Sequence, residues 1–105
     1  MTPFRYTVSV SHPDEETAER WVRWLCDGHV AEVLAGGATY AEIVRCDGPI
    51  IEFEVRYDFP SREAFDRYER EHAPRLRAEA LRLFPTEHGV HYRRGTGIVL
   101  GEFPS

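Results

Sequence analysis

"IIEFEVRYDF", residues 50–59, alternates without a break. Ile51, Phe53, Val55, Tyr57 and Phe59 face one way, and Glu52, Glu54, Arg56 and Asp58 the other. A period of two with β-branched and aromatic residues on one side marks a half-buried strand. Just upstream, "ATYAEIVRC" (38–46) is joined to it through Asp47-Gly48-Pro49, a short hairpin connection. At the start of the chain "FRYTVSV" (4–10) alternates in the same way, with Phe4, Tyr6, Val8 and Val10 on its apolar side. "EHGVHYRRGTGIVLGEF" (87–103) reads as a last strand, bent or bulged where Gly95 and Gly97 fall.

Between the strands the period changes to that of a helix. "SHPDEETAERWVRWLC" (11–26) opens with Pro13 and acids, and its apolar stripe is Ala18, Trp21, Val22, Leu25 and Cys26. Asp27-Gly28 interrupts this helix, and "HVAEVLA" (29–35) resumes it until Gly36-Gly37. The second helical region starts behind a Ser61 cap, with Ala64 at the third helical position, and runs to Phe84. Pro74 lies inside it, so the helix is expected to kink or restart there, with His72 at the junction. The order is βαββαβ, an α+β ferredoxin-like arrangement: a single domain over 1–105, with helices covering one face of an antiparallel sheet. The halves share a faint repeat after each break, "HVAEV" at 29–33 and "HAPRL" at 72–76.

Composition narrows the function classes. Hydrophobic content of 42% and aromatic content of 12% belong to a globular chain. The net charge of −5 argues against a nucleic-acid binder. So does the register of Tyr6, Phe53 and Tyr57, which places them on the apolar face and leaves no exposed stacking aromatics. All thirteen basic residues are arginine, and Lys, Asn and Gln are absent, the mark of a GC-rich bacterial genome. Without lysine there is no Schiff-base chemistry. Two cysteines, Cys26 and Cys46, make no disulfide framework. No apolar run approaches a membrane span, and residues 2–10 lack the apolar core of a signal peptide. The expectation is a cytoplasmic protein with reduced thiols. The polar sheet face, with Arg5, Thr7, Ser9, Glu52, Glu54, Arg56, His91 and Arg93, points to a homodimer packed sheet to sheet.

The residues that carry chemistry are few. At 100° per residue Phe65, Tyr68, His72, Leu76 and Leu83 share one helix face with Ala80 nearby, so His72 points to the core or a cavity. It is either a satisfied core histidine or an acid–base or ligand-contacting group. Glu63, Arg67, Glu71, Arg75 and Glu79 alternate in sign at i,i+4, which reads as an exposed ladder including Arg75. His29 and Glu32 project from the first apolar stripe, where a carboxylate can fix an imidazole tautomer. Because the two helical regions run side by side, His29 and His72 should line one pocket, with Glu32 and Arg75 bridging it. Cys26 and His29 supply only two ligands at helical spacing, so no metal site is expected.

"SREAFDRYEREHAPRLRAEALRLF" together with "WVRWLCDGHVAEVLAGG" resembles the small bacterial family known as domain of unknown function 4286. The run from Tyr68 through His72-Ala73-Pro74-Arg75-Leu76-Arg77 carries the resemblance most specifically. The family's first break reads H-I-P-E-V, which His29, Glu32 and Val33 match and Val30 and Ala31 do not. The resemblance implies a ferredoxin-like domain akin to the dimeric α/β-barrel superfamily. That superfamily includes cofactor-free monooxygenases, haem-degrading enzymes and isomerases.

The residues and the resemblance together support three functional expectations. The first is a homodimeric small-molecule-binding protein acting, where it is an enzyme, without a cofactor. Its pocket would lie between helices and sheet, with His29 and His72 as acid–base groups, Tyr68 as donor, and Glu32 and Arg75 contacting the ligand. The second is a haem-handling protein with His72 as axial ligand. The third is a non-enzymatic interaction module in which both histidines are structural.

Overall fold

The computed structural model describes residues 2–104. Its centre is a four-stranded antiparallel sheet in the order β2-β3-β1-β4, formed by β1 (Phe4–His12), β2 (Tyr40–Arg45), β3 (Ile51–Phe59) and β4 (His91–Ile98). The two long alternating strands pair at the middle. Tyr6 lies opposite Tyr57, Val8 opposite Val55 and Val10 opposite Phe53, so both apolar sets fall on one face. A one-residue slip would turn them all to solvent.

Helix α1 (Glu15–Trp24) is capped by Asp14, whose carboxylate accepts the Thr17 amide at 2.8 Å, and Glu15 and Glu16 complement the dipole of its first turn. The helix is interrupted at Asp27-Gly28 as expected: the chain makes a π-turn over Leu25–His29, with Gly28 out of helical geometry (φ 162°, ψ −29°) and the Val30 amide reaching back to the Leu25 carbonyl. α2 (Val30–Ala35) then runs to Gly36, and Gly37, at φ 126°, turns the chain in a conformation that suits glycine. α3 (Arg62–Glu71) starts where the Ala64 amide donates to Ser61 Oγ at 3.1 Å. His72 leaves helical geometry (φ −125°, ψ −42°), and α4 (Ala73–Leu83) restarts with Pro74 in its first turn. The expected break is there.

Its consequence for packing differs from the simple projection. Leu83, expected on the buried face, is exposed, while Ala73, Leu76, Ala80 and Phe84 are buried. The projection from Phe65 and Tyr68 holds across Pro74 for Leu76 and Ala80 and fails only in the last turn, at Leu83. The last strand is also shorter than 87–103: Thr86–His88 form one tight turn, and pairing begins at His91. Gly95 and Gly97 cause no bulge, because the register with β1 runs unbroken from His91 to Ile98. Arg75 does not stay within its own helix's charge ladder. It reaches across to Glu32 at 3.3 Å, an exposed pair contributing at most about 1 kcal/mol.

The core lies between sheet and helices and is largely aromatic. Phe65 packs against Phe4, Tyr6 and Phe59 with ring centroids 5.1–5.3 Å apart. No helix among the described residues is long and apolar enough to cross a membrane.

Candidate functional site

Two tyrosines facing each other across β1 and β3 put hydroxyl groups inside a core, where each needs a partner or a wet space. Tyr6 and Tyr57 stack at 6.0 Å, and Tyr68 comes down from α3 to 6.3 Å from Tyr6. The three rings surround a cavity of ≈ 40 Å³, walled by Trp21, Trp24, Leu25 and His29 from the first helical region, Arg77 from α4, and Tyr92 and Arg94 from β4. By volume it suits about three water molecules.

Arg77 organises the polar side of this cavity. One guanidinium nitrogen donates to the Tyr6 hydroxyl at 3.1 Å and to Glu69 at 2.7 Å. Its Nε is buried without a partner. Burial alone would lower the Arg77 pKa, but the hydrogen bonds to Glu69 and Tyr6 outweigh it and the cation is favoured. Burial, reinforced by neighbouring hydroxyls, pushes Tyr57 and Tyr68 well above the ordinary phenol value, so both remain neutral donors. The Tyr92 hydroxyl is already committed to the Phe84 carbonyl at 2.7 Å, and burial pushes its pKa up to about 12.

His29 reaches the cavity through the π-turn. Its ring stacks on Trp24 at 4.1 Å and 24°. Burial lowers its pKa to about 4, against the opposing pull of Glu79 and Glu32, so the imidazole is neutral at physiological pH. Trp24 and His29 also line a second, outer hollow of ≈ 230 Å³ with Asp27, Gly28, Glu32 and Glu79. These two side chains border both spaces, so their stack forms the partition between cavity and acidic vestibule.

The sequence candidates therefore divide. His29 and Tyr68 reach the cavity, and Glu32 lines the vestibule. His72 lines neither space. Its ring lies 6.3 Å from Tyr68 and nearly parallel to it, and presses on Gly36, where an added Cβ would come within 3.1 Å of the imidazole. Arg75 lies on the surface with Glu32. The two break histidines do not share either of these spaces.

Tyr6, Tyr57, Arg77 and Arg94 were missed as site residues. For the two tyrosines the signal was present: inward-facing phenols at matching positions of paired strands. Arg77 stood in the run that carries the family resemblance, but its partner Glu69 lies beyond a helix break and the pairing could not be read. His12 was missed as well. It is 6% exposed, neither ring nitrogen has a partner, and burial lowers its pKa to about 4. It packs on Trp21 and Phe53 at 4.8 and 5.8 Å. Among the described residues no three His, Cys, Asp or Glu side chains stand close enough to hold a metal.

Solved structures with the same fold are numerous and distant in sequence. SnoaB, a cofactor-independent oxygenase from Streptomyces nogalater, superposes with a TM-score of 0.74 at 13% identity over 100% of both chains. A dimeric ferredoxin-like protein from an uncultured marine organism gives 0.72 at 15% identity, covering 97% of this chain and 99% of the other. A Dabb family protein with a ferredoxin-like fold from Mesorhizobium loti gives 0.63 at 19%, covering 96% and 100%. No curated protein matches the chain. The family model described as Domain of unknown function (DUF4286) matches residues 1–94, and the chain belongs to that family.

Proposed function

We propose that this protein is a homodimer in which each protomer binds a small ring compound bearing a hydroxyl or carbonyl group in the cavity between sheet and helices. The observation that carries this reading is the convergence of the Tyr6, Tyr57 and Tyr68 side chains, Arg77 and a neutral His29 on one space. Such a space is apolar in its walls and polar at a few points, the usual form of a small-molecule site. The cavity is too small for such a ligand as it stands, so the Trp24–His29 partition swings outward on entry.

His29 is the acid–base group in this scheme. An imidazole that burial holds near 4 is a weak base, even with Glu79 and Glu32 pulling the other way. An anion forming beside it raises its affinity for a proton. As the ligand O–H bond breaks and the N–H bond forms, Tyr57, Tyr68 and Arg77 donate to the new enolate or phenolate oxygen. His72, Glu32 and Arg75 support the site from outside: His72 holds the Tyr68 ring, and the Glu32–Arg75 pair ties α2 to α4 beside the vestibule. Cofactor-independent oxygenation by a protein of the same fold lends a precedent for chemistry without a bound cofactor. A competing reading, a closed water-filled cavity in a non-enzymatic module, draws on the small volume.

Calorimetric titration with phenol, 1-naphthol and 4-hydroxybenzoate decides between them. Saturable binding is expected for at least one, weakened about tenfold by Tyr57→Phe or Tyr68→Phe, the loss of one hydrogen bond each. Repeating the titration in buffers of different ionisation enthalpy should reveal proton transfer that His29→Ala removes. If no compound binds, the water-filled reading takes its place.

A further inference from the structure

The two spaces divided by the Trp24–His29 stack carry opposite charge. The charged residues of the vestibule, Asp27, Glu32 and Glu79, are all acidic. In the cavity the only charged lining residues are Arg77 and Arg94, and no carboxylate lines it. Arg77 comes from α4 and Arg94 from β4, where it stands opposite Val8, another cavity residue. The Arg94 guanidinium lies over the Tyr92 ring, 5.7 Å from its centroid. Both cations act on the Tyr68 hydroxyl, opposing the rise that burial imposes on its pKa. Two guanidiniums from different elements thus bear on one phenol.

Each arginine has capacity that the fold leaves unused. Arg77 Nη2 makes both of its bonds, to Tyr6 and Glu69, while Nε is buried with no acceptor. Leaving such a donor unpaired is costly, so an oxygen is expected to fill the place. Arg94 makes no ion pair with any described residue. It lines the cavity yet is exposed, so its charge stands where the cavity meets water. Charge balance then decides the form of the ligand. Glu69 neutralises Arg77 at 2.7 Å, which leaves one uncompensated positive charge beside the cavity, that of Arg94. A single carboxylate cancels it, and its two oxygens suit a donor on either side. A neutral hydroxyl or carbonyl group would leave Arg94 unanswered, and a dianion would bury an excess negative charge. The vestibule's carboxylates repel an anion, so the ligand lies with its carboxylate towards the arginines and not towards the partition.

We propose that the ligand of this cavity is an aromatic carboxylate, held with one carboxylate oxygen on Arg77 Nε and the other on the Arg94 guanidinium. This rests on the small-molecule reading above and names the class of compound. Calorimetric titration of the full chain at pH 7 with benzoate, benzamide and phenol tests it, because benzamide has the shape of benzoate without its charge. Benzoate should bind about tenfold more tightly than benzamide or better, and the ratio should shrink as sodium chloride is added. Arg94→Gln should erase the preference, and Arg94→Lys, which keeps the charge, should retain most of it. Arg77→Lys keeps a cation without the Nε–H and should weaken benzoate binding about tenfold. Where that variant fails to fold, the two Arg94 variants carry the test alone. Equal binding of benzoate and benzamide overturns the carboxylate assignment and leaves the small-molecule site standing, as does binding of phenol alone. A preference for benzoate that survives Arg94→Gln overturns the assignment too, by placing the anion elsewhere. If none of the three compounds binds, nor 1-naphthol, both readings fall.

Discussion

Each half of the chain is a strand, a helix, a break and a second helix, and each break carries a histidine, His29 or His72. The two histidines end in different places. In the first half the break is a π-turn in which Gly28 leaves helical geometry (φ 162°, ψ −29°), and His29 already stands in the helical conformation that α2 continues. His29 is thereby stacked on Trp24 with an edge in the cavity. In the second half the helix ends and begins again. His72 takes the non-helical position and packs behind Tyr68 onto Gly36. One sequence pattern thus yields a cavity residue and a packing residue. The mechanism of the break decides which.

The largest expected effect falls on the first half under acid. His12 and His29 are both held neutral by burial, each down to about 4. Above pH 6.5 neither affects stability. Between 6.5 and about 4 the unfolded chain takes up protons that the folded chain refuses, so stability falls as the pH drops and the loss is complete below about 4. Each histidine contributes up to about 3 kcal/mol of this loss. Urea unfolding at pH 7 and pH 4.5 should show the gap between the two narrowing in His12→Leu and in His29→Leu. An unchanged gap in both would mean that these rings admit protons in place.

The contact between the halves is tested next. Gly36 ends α2 where Tyr68 and His72 come closest, and a methyl group there would stand 3.0 Å from the Tyr68 ring and 3.1 Å from the imidazole. Gly36→Ala should destabilise the protein by about 2 kcal/mol in urea, the scale of overpacking a closed contact. Gly36→Ala combined with His72→Ala should be less harmful than the sum of the two changes, because the smaller side chain gives the methyl group room. Additive losses would detach His72 from this packing role.

Much of this architecture could be read in advance, and the reason differs by element. The strands were legible because alternation in 4–10 and 50–59 is set by burial on one face, and the register is fixed by it. The caps at Ser61 and the restart at Pro74 were legible because each is local chemistry. The geometry of each break could not be read. The projection kept Leu76 and Ala80 on the buried face and missed Leu83, and it treated His72 as helical where its backbone leaves helical geometry. Arg77 escaped for the same reason: its bonds to Glu69 and Tyr6 join residues whose relative placement depends on that geometry. Tyr6 and Tyr57 were placed on the correct face, but a row of apolar neighbours disguised their hydroxyls as core.

The smallest effect is expected where the sequence signal is strongest. Pro74→Ala returns an amide that could reach the Arg70 carbonyl and removes the ring that clashes with it. If proline alone made the break, α3 and α4 would merge, and His72 would rotate into the helical phase. Yet the junction is held by other contacts. The His72 amide already donates to Tyr68 at 2.9 Å, and the Leu76 amide to the His72 carbonyl at 3.2 Å. Gly36 fixes the imidazole from the other side. Proline in a first helical turn carries little penalty, so replacing it gains little. Pro74→Ala should therefore change stability by less than about 1 kcal/mol and leave hydrogen-exchange protection at the Leu76 and Phe84 amides as in the wild type. A larger stabilisation, with exchange slowed across residues 70–76, would show that proline imposes the break. The difference between the two halves would then be written in a single residue.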